Sequence, residues 1–295
     1  MIQYNPKDWF TFIFRLHKAD TIRKLAPMLV SIAAYSALIA VLEVEVLNLS
    51  DNNHLKNIPI MHGMLGFVIS LLLVFRTNTA YDRWWEGRKL WGGLVNSSRN
   101  LAIKLAVIIP EDDIEDRSYF RRMIALFAFS LRNHLSHEST RTALFNEDDM
   151  GHLVSSIDTE KHIPNQVAAH LFRKIYQLKK AGKLTGDELI VLNAELQSLT
   201  DICGACERIK NTPIPFSYSV FLKKFIFFYV MTLPFGYVFS MGYYVVPVVT
   251  FIFYVLASLE LVAEEIEDPF GIDANDLPTD KISKNIQKHV AEILH

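Results

Sequence analysis

The sequence predicts an all-α membrane protein, and three observations carry that reading. Four apolar runs have the length of a bilayer crossing, basic residues collect on one side of all four, and the polar stretch between the second and third is helical in period. The composition agrees. Of 295 residues, 51% are hydrophobic and 21% charged, and a mean hydropathy of +0.18 fits a few spanning helices attached to a substantial water-exposed part. The formal net charge of −2 argues against a nucleic-acid partner, which would require a basic excess. Cys203 and Cys206 are the only cysteines, so no disulfide framework is expected.

The four runs are Leu25–Leu42, Ile58–Phe75, Phe225–Met241 and Tyr243–Leu259. The first holds no charge, and the second holds one ionisable group, His62. Each suffices to cross a hydrocarbon core of about 30 Å as a helix. A buried core helix of a large soluble protein is the rival for any one run, but four in two close pairs speak against it. Membrane helices are expected at about 25–48, 58–82, 217–241 and 243–263. A helical cytoplasmic region at about 83–216 and 264–295 completes a single domain over residues 1–295. Pro27, Pro234 and Pro247 fall inside the runs, where a membrane helix tolerates proline if neighbours re-satisfy the freed carbonyl. Tyr218, Tyr229, Tyr243 and Tyr244 sit near the ends of the last two runs, as an interfacial aromatic belt requires. The first run is too long for a signal-peptide core and lacks a small-residue cleavage site, so it is expected to be retained.

Orientation follows from the basic residues. Lys7, Arg15, Lys18, Arg23 and Lys24 precede the first run; Arg76, Arg83, Arg88 and Lys89 follow the second; Lys210, Lys223 and Lys224 precede the third. The first loop has only Lys56, and the turn between the last two runs has no charge. Both termini and the middle region are therefore expected to be cytoplasmic. In that region helical period is clear over Trp84–Ile109, Tyr119–Leu135, Val167–Lys179 and Asp187–Glu207. Pro110, followed by three acids, reads as a helix end and the start of the next helix. Ser136–Pro164 reads as loops with a short helix.

The second run is the most informative. Phe67, Leu71 and Phe75 recur at i, i+4 and i+8 and share one helical face, with Gly63 and Gly66 permitting close approach of a neighbour. Such a stripe serves either lipid or core packing, or a hydrophobic constriction that gates by dewetting when several copies ring an axis. The segment Phe75–Gly92 then mixes Arg76, Asp82, Arg83, Glu86, Arg88 and Lys89 with Tyr81, Trp84, Trp85 and Trp91. Composition alone makes this a membrane-exit segment.

The order of its residues is more specific. Asp82-Arg83-Trp84-Trp85-Glu86 after an apolar helix resembles the signature of the bestrophin family. So do Cys206-Glu207-Arg208-Ile209 with Asn211–Phe216 before the third run, and Asp268-Pro269-Phe270-Gly271 after the fourth. The three motifs occur in family order over nearly the whole chain, with the look of a bacterial member. The resemblance implies a homopentamer around one axial pore, set in the bacterial inner membrane. Its partners would be permeant monovalent ions, membrane lipid and identical subunits. The second helix would line the pore, and counting back from Arg83-Trp84-Trp85 places its narrow neck at Phe67, Leu71 and Phe75. A second, cytoplasmic aperture would fall at Asp187, with Thr185 and Leu189 as alternatives, although the family usually sets an apolar residue there. In animal members the region after the Pro-Phe-Gly motif is an acidic clasp for Ca²⁺. Here Asp273 and Asp276 remain while Ile272, Ala274 and Asn275 replace further acids. Calcium prefers six to eight oxygens, so a helix-ending turn is favoured, with no cofactor and no metal.

Other features rank lower. Cys203-Gly-Ala-Cys206 sits on a helix leading to the membrane and reads as packing, not redox chemistry. His134 and His137 lack an evident third metal ligand. Glu43 and Glu45 either line an outer vestibule or form a solvated helix end. Ion sign must come from vestibule charge. Asp187, Glu43 and Glu45 favour cations, whereas Arg76 and Arg83 oppose them if they face water; the bacterial look tips the expectation to Na⁺ and K⁺ over chloride. A secondary transporter would need mid-membrane polar groups and related broken helices. An enzyme would need a cytoplasmic site. Neither is visible in the sequence.

Overall fold

The computed structural model describes residues 21–47, 57–136, 157–158 and 160–295. Among these there is no strand; every regular element is helical. Lys7, Arg15, Lys18, Lys56, His137 and most of the Ser136–Pro164 loop lie outside the described residues.

Helix α1 (Thr21–Val41) carries Pro27 in its interior and ends in one π-helical turn, Leu42–Val46. Helix α2 (Ile58–Ile108) follows. Pro59 opens it, where a missing N–H removes no helical hydrogen bond. Nothing in the polar segment after Phe75 then stops it, so 51 residues run on for about 75 Å. The change of composition near residue 82 does not interrupt the helix. Ile109 is extended, as the residue before a proline prefers, and this ends α2. The Arg117 guanidinium donates to the carbonyls of Ala106, Ile109 and Pro110 and satisfies the last turn.

Three helices of more polar sequence come next. In α3 (Ile114–Leu135), Asp113 caps the N-terminus by accepting from the Asp116 N–H. In α4 (Ile163–Lys180) the cap is the imidazole of His162, with Pro164 in the first turn. The helix therefore starts at Ile163, inside the stretch expected to be loop. In α5 (Gly186–Asn211), Thr185 and Glu188 form a reciprocal capping box.

Helix α6 (Phe216–Met241) returns to apolar sequence with Pro234 inside it, and α7 (Val245–Glu267) follows after a short 3-10 turn, Gly242–Tyr244. Gly242 adopts φ 54°, a left-handed conformation that glycine enters without a Cβ clash. The chain reverses there. Lys223 near the start of α6 pairs with Glu264 near the end of α7 at 2.9 Å, so the two helices form an antiparallel hairpin. Helix α8 (Thr279–Ile293) closes the chain.

Three stretches are long and apolar enough to cross a membrane: Thr21–Val46, Ile58–Ile108 and Phe216–Glu267, the last divided by the turn at Gly242. Two apolar cores match the two environments. One packs Ile32 of α1 with Ile69 and Leu73 of α2, Ile226 and Val230 of α6, and Val249 and Phe253 of α7. The other packs Trp91 and Leu101 of α2 with Phe127 of α3, Leu171 of α4, Leu199 of α5 and Ile286 of α8. Helix α2 runs through both and joins them. The turn at 268–278 is seated on α2: Phe270 is buried, and a Cβ at Gly87 would stand 3.2 Å from its ring. The Trp84 Nε1–H donates to the Asn275 carbonyl.

Candidate pore-lining face

Helix α2 has two unlike sides. Ile69, Leu73, Arg76 and Ala80 are buried against α6 and α7, whereas Phe67 is 71% exposed, Leu71 46% and Phe75 57%. Ile60 and Met64 extend this exposed face toward the helix start, and Asn78 and Asp82 extend it past Phe75. At 100° per residue, Phe67, Leu71, Phe75, Asn78 and Asp82 stay within one narrow stripe. Asp82 lies about 10 Å along the axis from Phe75. The stripe is therefore apolar over its first part and acidic immediately after it.

The neighbouring cations behave differently. Arg76 does not meet the condition, facing water, under which it would offer charge to a vestibule. Arg76 is only 1% exposed, with Nε 3.3 Å from Glu260 and Nη2 2.7 Å from Glu267. Its position on the inward side of α2 leaves a buried charge that two acids of α7 must balance. Arg83 donates to the carbonyls of Glu267, Thr212 and Ile209, so its charge is spent tying the end of α5 and the end of α7 to α2. Glu43 is buried in the π-helical turn and does not face water, whereas Glu45 is exposed and accepts from the Tyr243 hydroxyl at 2.5 Å. Asp187 stands exposed in the first turn of α5, at the end of that helix farthest from the membrane runs. Exposed Ile190 and Val191 lie one turn further on.

Asp273 and Asp276 do come together, but as a turn. The Asp276 carboxylate is buried and accepts from the Asp273 N–H at 2.5 Å. Burial is the chief cause of an Asp276 pKa pushed up to about 7, with the nearby charges of Asp273, Asp268 and Glu265 adding to it. The Lys24 ammonium already lies 2.6 Å from Glu265 and 3.7 Å from Asp273. A lysine thus occupies the point where the acidic groups converge. The cysteines are buried on α5, the motif helix itself, and burial pushes the Cys203 thiol up to about 12. His134 meets Glu207 and His162.

Sequence reasoning missed Glu260 and Glu267 as partners of Arg76, and missed Asp82 as part of the stripe. Both had a signal. Glu260 follows directly on an apolar run, where an uncompensated acid is costly, and Asp82 is seven residues after Phe75, two full turns along the same face.

These features define a multi-pass helical membrane protein with one helix presenting an exposed stripe on the side away from its own bundle. The sequence matches the family described as Bacterial/Fungal Bestrophin protein over residues 1–292, and the chain belongs to that family. It is 33% identical to the voltage-dependent anion channel-forming protein alr2987 of Nostoc sp., over 97% of this chain and 92% of that one. It is also 33% identical to the voltage-dependent anion channel-forming protein YneE of Escherichia coli, over 76% of this chain and 73% of that one. A bacterial bestrophin homolog from Klebsiella pneumoniae superposes with a TM-score of 0.77 at 28% identity, covering 90% of this chain and 97% of that structure.

Proposed function

We propose that this chain is one subunit of a homopentameric ion channel that crosses the bacterial inner membrane four times, with both termini cytoplasmic. Rings of Phe67, Leu71 and Phe75 form the neck of its pore. The observation that carries this reading is the exposed stripe of α2, which turns from apolar to acidic along a single face while the adjacent arginines turn inward. Large exposed aromatics on a helix that packs well on its other side need an axis or lipid to cover them. A purely lipid-facing stripe gives no reason for Asp82 to continue it.

Three hydrocarbon rings offer neither donor nor acceptor, so they set the barrier and not the sign. Five copies of Asp82 at the inner mouth would sum to a strong negative potential, because the walls there are low in dielectric. Glu45 outside and Asp187 at the far cytoplasmic end carry the same sign. These acids support conduction of Na⁺ and K⁺. The aperture reading centres on the first turns of α5, where the exposed pair Ile190 and Val191 supplies the apolar side chain that Asp187 does not. Chloride conduction is the second reading, and the names of the relatives, anion channel-forming proteins, favour it. Reversal potentials in a planar bilayer under a salt gradient separate the two. A cation channel reverses near the cation equilibrium potential, and Asp82→Asn moves that value toward zero. Reversal near the chloride potential overturns the cation reading while leaving the neck intact.

A further inference from the structure

Away from the stripe, three groups from three helices meet at one point. His134 in the last turn of α3, His162 at the N-cap of α4 and Glu207 on α5 place their ligand atoms within 4.8 Å of one another. His134 Nε2 lies 2.6 Å and His162 Nε2 2.5 Å from the same Glu207 oxygen, and the two rings are 4.3 Å apart. Both nitrogens aim at one acceptor. The groups are partly buried, so a ligand can reach them from water.

We propose that His134, His162 and Glu207 form a binding site for a divalent transition-metal ion, with Zn²⁺ the best match. Two imidazoles and one carboxylate are a borderline donor set. They suit zinc at bond lengths of about 2.0–2.2 Å, with a fourth tetrahedral position left open. They do not suit Ca²⁺ or Mg²⁺, which require mostly oxygen ligands. The nitrogen–oxygen spacings need only widen from 2.5 and 2.6 Å to about 3.3 Å to surround such an ion. Side-chain rotation accomplishes this without moving a helix. The tautomer also has to change. The Asn165 N–H donates to His162 Nδ1, which fixes the ring proton on Nε2 in the hydrogen-bonded arrangement. Metal bound at Nε2 sends that proton to Nδ1 and gives up the cap of α4. One cap hydrogen bond is a small loss beside the return from three metal bonds. The ion would then clamp the end of α3 and the start of α4 onto α5, the helix that leads through residues 212–215 into the membrane. This site stands independently of the channel reading.

The test uses the full chain in detergent, stripped with chelator, and Zn²⁺ alone as the probe in titration calorimetry. Expected is one tight Zn²⁺ per chain, with His162→Asn and Glu207→Gln each weakening it at least about 100-fold. His170→Asn, outside the cluster, should bind like wild type. Substituting Co²⁺ should give the visible bands of a tetrahedral site in wild type and not in Glu207→Gln. Metal-free melting curves show whether each variant folds, and His134→Asn replaces any that does not. Absence of binding by the stripped wild type overturns the proposal, leaving a hydrogen-bonded cluster only. So does Zn²⁺ binding that survives both His162→Asn and Glu207→Gln.

Discussion

The Arg76 guanidinium lies 2.7 Å from the Glu267 carboxylate, inside the subunit and off the exposed stripe. Glu260 holds it from two turns earlier on α7. A cation that the sequence left open to a water-facing role is a strut between α2 and α7. The consequences can be measured.

Removing one member of a buried ion pair leaves its partner uncompensated. Arg76→Met should destabilise the folded subunit by about 3–5 kcal/mol, read as a lowered melting temperature in detergent. Changing all three groups, Arg76→Met with Glu260→Met and Glu267→Gln, should recover most of that loss, since apolar or neutral replacement of a whole buried ionic group is often neutral. Equal melting temperatures for wild type and the single variant would mean that the pair is not formed.

Arg83 makes a related case through geometry. Its fork reaches three carbonyls on two chain segments. A lysine has the charge without the fork, so Arg83→Lys should behave nearly like Arg83→Ala, both losing about 2–4 kcal/mol. Full rescue by lysine would show that charge alone matters.

Asp276 links stability to pH. Its folded pKa near 7 stands above the usual carboxylate value of about 4. The folded state therefore binds more protons between those two values. The contribution of Asp276 to stability is fully present below about pH 4 and is lost as pH rises to 7, by on the order of 1 kcal/mol per pH unit. Wild type minus Asp276→Asn, followed by denaturation from pH 4.5 to 7.5, should show that slope. A flat difference would remove the buried carboxyl from the account.

The cysteines supply a check on packing. Burial raises both thiols, Cys203 to about 12, so neither should react with a maleimide at neutral pH in the folded protein. Both should react after denaturation. Rapid labelling of the native protein would contradict the core that encloses them.

What the sequence disclosed divides along the range of the interaction. The stripe of Phe67, Leu71 and Phe75 is legible because helical period is local, and four residues suffice to define a face. The hairpin turn is legible from a charge-free gap ending in Gly242. Arg76 is not legible, because its partner Glu260 is 184 residues away and only packing brings α7 beside α2. The same limit hid the histidine cluster. The partners His162 and Glu207 come from two other helices, so no spacing along α3 points to them. Helix ends were least secure where the cap was unusual, as with the imidazole that starts α4.

The central claim is that α2 turns Phe67, Leu71 and Phe75 toward a conducting axis. Single-channel recording of the purified protein in a planar bilayer, with Leu71→Ala beside wild type, tests it most directly. Wild type should show discrete currents, and the alanine should widen the middle ring and raise conductance or open time several-fold. Currents that are indifferent to Leu71→Ala, or no discrete currents from either protein, would contradict it.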